Sequence, residues 1–146
     1  MKAMLASIPL ALYFAIAAYA AGPVDTVTVY KSPTCSCCNG WVEYMRENGF
    51  GVQTVDRENL VDIKKELGLT DGRLMSCHTA VVDGYVIEGH VPADDVRRLL
   101  SERPDVVGIT APGMPQLSPG MHSVKPENYD VLTFDSEGRI GTFSSY

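Results

Sequence analysis

The sequence predicts an α/β domain whose elements run β-α-β-α-β-β-α. Three observations carry this. A tight cysteine cluster, Cys35-Ser-Cys37-Cys38, falls between a strand pattern and a helix pattern. Stretches of alternating and of helical hydrophobic period then follow one another along the chain. Finally, Asp83-Gly84 separates two β-rich runs as the turn of a two-residue hairpin does.

Taken in order, Thr26-Val-Thr-Val-Tyr30 alternates as a strand, and Trp41-Val-Glu-Tyr-Met-Arg-Glu47 carries the next helical pattern. Gly51-Val-Gln-Thr-Val-Asp56 is a second alternating strand. Asn59 is placed to cap a helix in which Leu60, Ile63 and Leu67 recur at helical spacing, and Gly68 stops it. Thr79-Ala-Val-Val82 and Tyr85-Val-Ile87 form the hairpin, because Asp-Gly accepts the positive φ values of a type I′ turn. Pro92 opens a helix over 93–102, with Val96, Leu99 and Leu100 facing the core and Asp94 and Asp95 near its positive end. Residues 106–121 are rich in Pro and Gly and read as a loop held by side-chain packing. Tyr129-Asp-Val-Leu-Thr-Phe134 and Ile140-Gly-Thr-Phe143 read as a hairpin around Ser136-Glu-Gly138 that extends or covers a sheet edge.

At the other end, Met1-Lys2 precedes an apolar run from Leu5 to Ala18 and the A-x-A-like Ala18-Tyr19-Ala20. This is the pattern of a secretory signal peptide, and the run is short for a transmembrane helix; an uncleaved anchor is the competing reading. The expected organisation is therefore a signal peptide over 1–20, an α/β domain over 21–104 and a C-terminal extension over 105–146 that caps the site. Export would place the protein in the periplasm, an oxidising compartment. Loss of Lys2 with the leader moves the formal net charge from −6 to −7, a balance that argues against a nucleic-acid partner and supplies no polybasic membrane patch. No phosphate-cradling G-x-x-x-x-G-K, no G-x-G-x-x-G and no G-x-S-x-G occurs, so nucleotide and hydrolase chemistry have no evident home.

The chemistry lies in the cysteines. Cys35 and Cys38 have the C-x-x-C spacing of a redox dithiol, but Cys37 between them would compete for the disulfide by exchange. A soft metal gains from each added thiolate, and thiolate and thioether sulfur select Cu(I), Zn or iron-sulfur centres. A strand-to-helix turn also favours the anionic thiolate, through unpaired N–H groups and the positive end of the helix dipole. A disulfide staple is the bland alternative; it is weakened because these three thiols are too close in sequence to close a long loop. Zinc is disfavoured because its structural ligands come as separated pairs, whereas adjacent Cys37 and Cys38 point their sulfurs differently and more readily bridge several metals.

With C-x-x-C after the first strand, the element order is similar to the thioredoxin and glutaredoxin fold. More narrowly, the chain resembles the CopG family, small exported proteins with a C-x-C-C motif associated with copper resistance. The segments that carry the resemblance are Ser32-Pro-Thr-Cys35-Ser-Cys37-Cys38-Asn-Gly-Trp41, Met75-Ser-Cys77-His78-Thr79, and Pro112-Gly-Met114-Pro through Ser118-Pro-Gly-Met121. It implies a thioredoxin-like domain with a C-terminal extension that binds copper beside the C-x-C-C turn, with a change of copper oxidation state as a further step. Thioredoxin relatives carry a cis-proline just before the third strand. Here Cys77-His78-Thr79 fills that place, so the resemblance brings a fourth thiol and an imidazole toward the first three.

The metal set read from the chain is Cys35, Cys37, Cys38 and Cys77, with His78, Met114 and Met121 as outer donors to Cu(I). Each has a plainer reading: His78 as a hydrogen-bonded loop histidine, Cys77 as an inert buried thiol, and the methionines as gap fillers. His90 reads as structural, His122 as a weaker candidate and Met75 as core. The expected function is copper binding in copper resistance, with Cu(I)/Cu(II) interconversion as an addition and a multinuclear cluster as the form that bridging thiolates favour. Expected partners are copper ions and periplasmic copper efflux or electron-transfer proteins, with the protein a monomer. The alternative is a thiol-disulfide oxidoreductase with Cys35 attacking and Cys38 resolving.

Overall fold

The computed structural model describes residues 25–123 and 125–146; the expected leader over 1–20 lies outside the described residues. β1 (Thr26–Lys31) leads into α1 (Ser36–Glu47), then β2 (Gly51–Asp56), α2 (Val61–Glu66), a 3-10 turn (Gly72–Leu74), the hairpin β3 (Thr79–Val82) and β4 (Tyr85–Gly89), and α3 (Ala93–Glu102). Three further strands follow: β5 (Gly108–Ala111), β6 (Asp130–Phe134) and β7 (Ile140–Ser145). One mixed sheet holds all seven in the order β2-β1-β3-β4-β5-β6-β7. The pairs β1/β2 and β4/β5 are parallel and the others antiparallel. Among the described residues no helix is long and apolar enough to cross a membrane.

Most expected elements form where their residues place them. Asp83 and Gly84 both take positive φ, 46° and 84°, as the hairpin requires. Asn59 Oδ1 accepts the Val61 N–H at 2.9 Å, and Gly68 ends that helical segment at φ 84°. α3 spans the expected 93–102 and buries Val96 and Leu99. The C-terminal hairpin β6/β7 forms and extends the sheet through β5.

Two readings are corrected. α1 begins at Ser36, not beyond the cysteines, because Cys35 serves as its N-cap and its sulfur accepts the Cys38 N–H at 3.3 Å. Residues 106–121 are not loop throughout: the run Gly108-Ile-Thr-Ala111 is strand β5, fully buried beside β4. Gly108 makes that strand possible, since a Cβ there would strike the Val86 backbone. The flanking prolines and glycines masked a four-residue strand whose β-branched residues are Ile109 and Thr110.

The core lies between the sheet and α1 and α3, with Val29, Trp41, Met45, Ile87, Leu99 and Ile109 at zero exposure. The segment after β5 returns over α1. Gly40 in the helix and Gly120 in the segment pack backbone to backbone, so that a Cβ on Gly40 would stand 2.7 Å from the Gly120 carbonyl oxygen. β7 is held down on α3: Ser144 Oγ and Tyr146 OH donate to buried Asp95 at 2.5 and 2.8 Å, and Arg98 donates to the Phe143 carbonyl at 2.7 Å.

The Gly40 contact gives a prediction with a sign. Alanine is favoured over glycine inside a helix by about 1 kcal/mol, so Gly40→Ala would stabilise a protein whose helix face was free. The clash with Gly120 reverses this, and the variant should lose roughly 1–3 kcal/mol, the usual range for overpacking. Chemical denaturation of the variant measures it; a stability equal to or above wild type would show that the segment does not press on α1.

Candidate metal centre

The site forms where three chain segments meet at one end of the sheet. The end of β1 delivers the C-x-C-C turn, residues 76–78 approach just before β3, and His90 follows the end of β4. Cross-strand pairing sets Tyr30 opposite Thr79 and Thr79 opposite Glu88, so those ends fall side by side. Helical geometry then sorts the cysteines. Cys38 falls with Trp41, Val42 and Met45 on the buried face of α1, while Cys35 and Cys37 remain partly exposed.

The sulfurs of Cys35, Cys37, Cys38 and Cys77 all lie within 4.8 Å of one another. Cys35 and Cys38 are joined as a disulfide, and Cys37 and Cys77 are free thiols. Cys37 Sγ stands 3.5 Å from Cys35 Sγ and 3.8 Å from Cys77 Sγ, bridging the turn and the segment before β3.

A second group shares Cys77. Its sulfur is 3.4 Å from His78 Nδ1 and 3.2 Å from His90 Nε2, and the ligand atoms of Cys77, His78 and His90 also lie within 4.8 Å of one another. The Pro119 carbonyl, which can only accept, takes the His90 Nδ1 proton at 2.8 Å. A neutral His90 therefore turns the lone pair of Nε2 toward the Cys77 sulfur. His78 is fully buried, tilted against Trp41 with ring centroids 4.7 Å apart, and its Nε2 has no hydrogen-bond partner. The plainer reading, a hydrogen-bonded loop histidine, accounts for Nδ1 beside the Cys77 sulfur but leaves Nε2 orphaned, and an orphaned buried nitrogen is a costly feature to retain.

Burial fixes the protonation of this corner. It depresses the His78 pKa well below the ordinary value, with the charges of His90 and Lys64 adding to the effect, and it lowers His90 as well. Cys77 is pushed up to about 11, first by burial and then by neighbouring Cys37. The low thiol pKa expected of a helix N-terminus does not extend to this fourth cysteine. A neutral thiol beside two neutral imidazoles is the state that a soft cation converts: it displaces the thiol proton, finds nitrogen lone pairs already unprotonated, and supplies the positive charge that burial otherwise excludes. The donor set thus fits a soft metal on the chain's own chemistry.

The remaining candidates are less enclosed. Met121 and His122 line a groove of about 390 Å³ together with Ser36, Cys37 and Gly120. Met114 is 54% exposed and follows Gly113, which forms an isolated bridge with Ser76. Met75 is partly buried against Leu69, Leu74, Val86 and Phe134. His90, read as structural in the turn before the last helix, is buried there on the Pro119 carbonyl and also faces Cys77. Its only signal was its position just after β4, which means nothing until the β3/β4 pairing is known.

Residues 74–121 match a family model described as a protein of unknown function, DUF411. Among solved structures the chain is similar to "Copper resistance protein copG- Form 1", at 36% identity and a TM-score of 0.76, covering 83% of this chain and 96% of that one. It is similar also to "Copper resistance protein copG- Form 2", at 35% identity and a TM-score of 0.77, covering 84% and 98%. No curated protein matches the chain. Identity at this level over nearly the full length of those structures shows that the chain belongs to the CopG copper resistance protein family.

Proposed function

We propose that the protein is an exported copper-binding protein of copper resistance, holding Cu(I) among Cys35, Cys37, Cys38 and Cys77. The observation that carries this is the gathering of four sulfurs within 4.8 Å, drawn from two segments about 40 residues apart in the chain. Copper is the cargo. His78 and Met121 serve as further donors, Met114 as an outer one, and His90 joins them because its Nε2 faces Cys77. Thiolates that share ions favour a multinuclear Cu(I) cluster, and neutral imidazoles at its edge suit ions of either oxidation state. We read residues 1–20 as the leader to the periplasm, 21–104 as a thioredoxin-like unit and 105–146 as the cap. The strand order β2-β1-β3-β4, with a parallel first pair, supports the middle assignment, and the Gly120 contact with α1 supports the last. The formal charge of −6 agrees with metal ions as partners and not nucleic acid; a periplasmic efflux or electron-transfer protein would take the copper or its electron from a monomer.

The disulfide gives the site two states. With Cys35 joined to Cys38, only Cys37 and Cys77 can give thiolates. Two electrons and two protons from a dithiol reductant cleave the bond and complete the four-thiol set, the reductant leaving as its own disulfide. In the same terms, two Cu(I) ions that each release one electron reduce the bond to two thiolates, a balanced route to Cu(II).

The disulfide also favours one other reading, a thiol-disulfide oxidoreductase in which the more exposed Cys35 is attacked and buried Cys38 is released. Cys37→Ser separates the two. Weakened copper binding supports the metal site, whereas unchanged copper binding with intact disulfide reductase activity supports the oxidoreductase.

Reduction should raise the number of Cu(I) ions bound per chain above that of the disulfide form, measured by copper analysis after gel filtration. Bound Cu(I) should also raise the melting temperature of the reduced protein: a ligand at about 100 times its dissociation constant adds roughly 2.7 kcal/mol. Zn(II) should add less, and equal shifts from both metals would count against a copper site.

The outer donors should rank by their closeness to the sulfurs. Replacing Met by Leu keeps apolar volume and usually costs under about 1.5 kcal/mol. Copper loss to a competing chelator should therefore speed up in Met121→Leu and in His90→Ala and change less in Met114→Leu, with metal-free melting of the methionine variants near wild type. Release rates unchanged in all three would leave a centre of four cysteines with His78 beside it.

A further inference from the structure

Beneath the cysteines lies an ion pair that copper binding does not use. Glu88 on β4 has zero exposure within a strand buried along its whole length, and Lys64 on α2 is 4% exposed. The two carboxylate oxygens of Glu88 take up different work. Oε1 accepts the Ser76 backbone N–H at 2.5 Å and pairs with Lys64 Nζ. Oε2 accepts the Thr79 hydroxyl at 2.6 Å, and Lys64 Nζ donates to the same hydroxyl oxygen at 2.8 Å. One carboxylate thus grips the chain immediately before and immediately after Cys77-His78.

Backbone pairing does little else to fix that dipeptide, although His78 packs on Trp41 and the Ser76 hydroxyl donates to the Gly113 carbonyl. The β3 ladder starts only at Thr79, and the bridge between Ser76 and Gly113 is isolated. One backbone bond, from the Gly89 N–H to the His78 carbonyl at 3.0 Å, spans the gap. Stability is a weak reason for the ion pair itself. Burying two charges costs several kcal/mol per ion, and well-packed apolar residues of similar volume often replace such a pair at no loss. What an apolar pair could not supply is a double acceptor aimed at both flanks of a ligand-bearing segment.

We propose that Glu88, charge-balanced by Lys64, is the positioning residue that holds the Cys77 sulfur over Cys37. It acts on the metal only through residues 76–79. The inference rests on Cys77 being a ligand, so Cys77→Ser accompanies every measurement.

Two double variants separate the grip from the charge. K64M/E88L removes both charges and both grips. K64M/E88Q also removes the charges, but its amide oxygen accepts the Ser76 N–H and its amide nitrogen donates to the Thr79 hydroxyl oxygen. Two rates are read on the full chain. The first is copper release to a chelator from the reduced, loaded protein. The second needs no metal: with Cys35–Cys38 oxidised, a diazenedicarboxamide oxidant accepts two electrons and two protons from the Cys37 and Cys77 thiols as they join, and peptide mass mapping follows the new disulfide.

In K64M/E88L release should quicken and Cys37–Cys77 joining should slow, each by about 10-fold or more, the usual effect of losing a partner that orients a metal ligand. K64M/E88Q should stay close to wild type in both. If K64M/E88L does not fold, Thr79→Val, which deletes the Oε2 grip and keeps the ion pair, should shift both rates in the same directions by less. Wild-type rates in K64M/E88L, or in Thr79→Val where it must stand in, overturn the proposal. Equal defects in K64M/E88Q and K64M/E88L would overturn it too, since charge and not grip would then matter. Should Cys77→Ser release copper like wild type, the failure lies with Cys77 as a ligand, and the joining rate alone decides the positioning role.

Discussion

The antiparallel pairing of β1 with β3 is the constraint on which the rest of the molecule depends. It sets Tyr30 opposite Thr79, so the chain leaving β1 and the chain arriving at β3 share one end of the sheet. A one-residue slip would turn every side chain of the strand to the other face and separate Cys77 from Cys37. The register is held because Val27, Val29, Ala80 and Val82 are all buried on the core side. The β3/β4 hairpin repeats the effect: Thr79 opposite Glu88 brings the residues after β4 to the same end, and His90 arrives with them. Hydrophobic burial thus assembles a polar site without any residue of that site contributing to the register.

Once assembled, the site is governed by dehydration. A thiol whose pKa is pushed up to about 11 and two imidazoles depressed by burial are groups that the protein keeps neutral because it cannot solvate their charge. Binding a cation would invert this, since a positive charge makes a neighbouring thiolate easier to form. Burial therefore raises the penalty for the metal-free, deprotonated cluster while leaving the neutral metal-thiolate unit unopposed. The same dehydration explains why Glu88 needs Lys64. A carboxylate at zero exposure is tolerable only with its oxygens fully occupied.

What could be read from the sequence was what local chemistry decides. Asp83-Gly84 specifies its turn by positive φ, residues 93–102 by helical period and an N-terminal proline, and the cysteine cluster by the spacing of its thiols. The start of α1 apart, what the sequence did not show depends on long-range pairing. Strand β5 is four residues long and flanked by Pro and Gly, so composition hid it until β4 offered a partner. The start of α1 was set too late because a cysteine sulfur is an unusual cap, and here Cys35 takes that role. His90 looked like a turn residue, and nothing in its neighbours announces that Nε2 will meet a sulfur 13 residues back. Lys64 and Glu88 carry no local signal of burial, since each sits in a stretch where a charged residue facing water would be ordinary; only the third dimension pairs them.

The C-terminal extension ties these threads together, because it is bonded to the site at several separate points. Pro119 fixes the His90 tautomer, the Gly113 carbonyl accepts the Ser76 hydroxyl next to Cys77, and Gly120 lies against α1 one turn beyond the cysteines. Further out, Asp95 anchors Ser144 and Tyr146, so the last strand holds the segment's far end to α3. A flexible flap would lose conformational entropy each time it closed on the site. A segment pinned at both ends has met that cost on folding, and what it contributes to the site is therefore geometry: a fixed His90 lone pair, a fixed approach for Ser76, and a groove beside Cys37 whose Met121 wall is already in place.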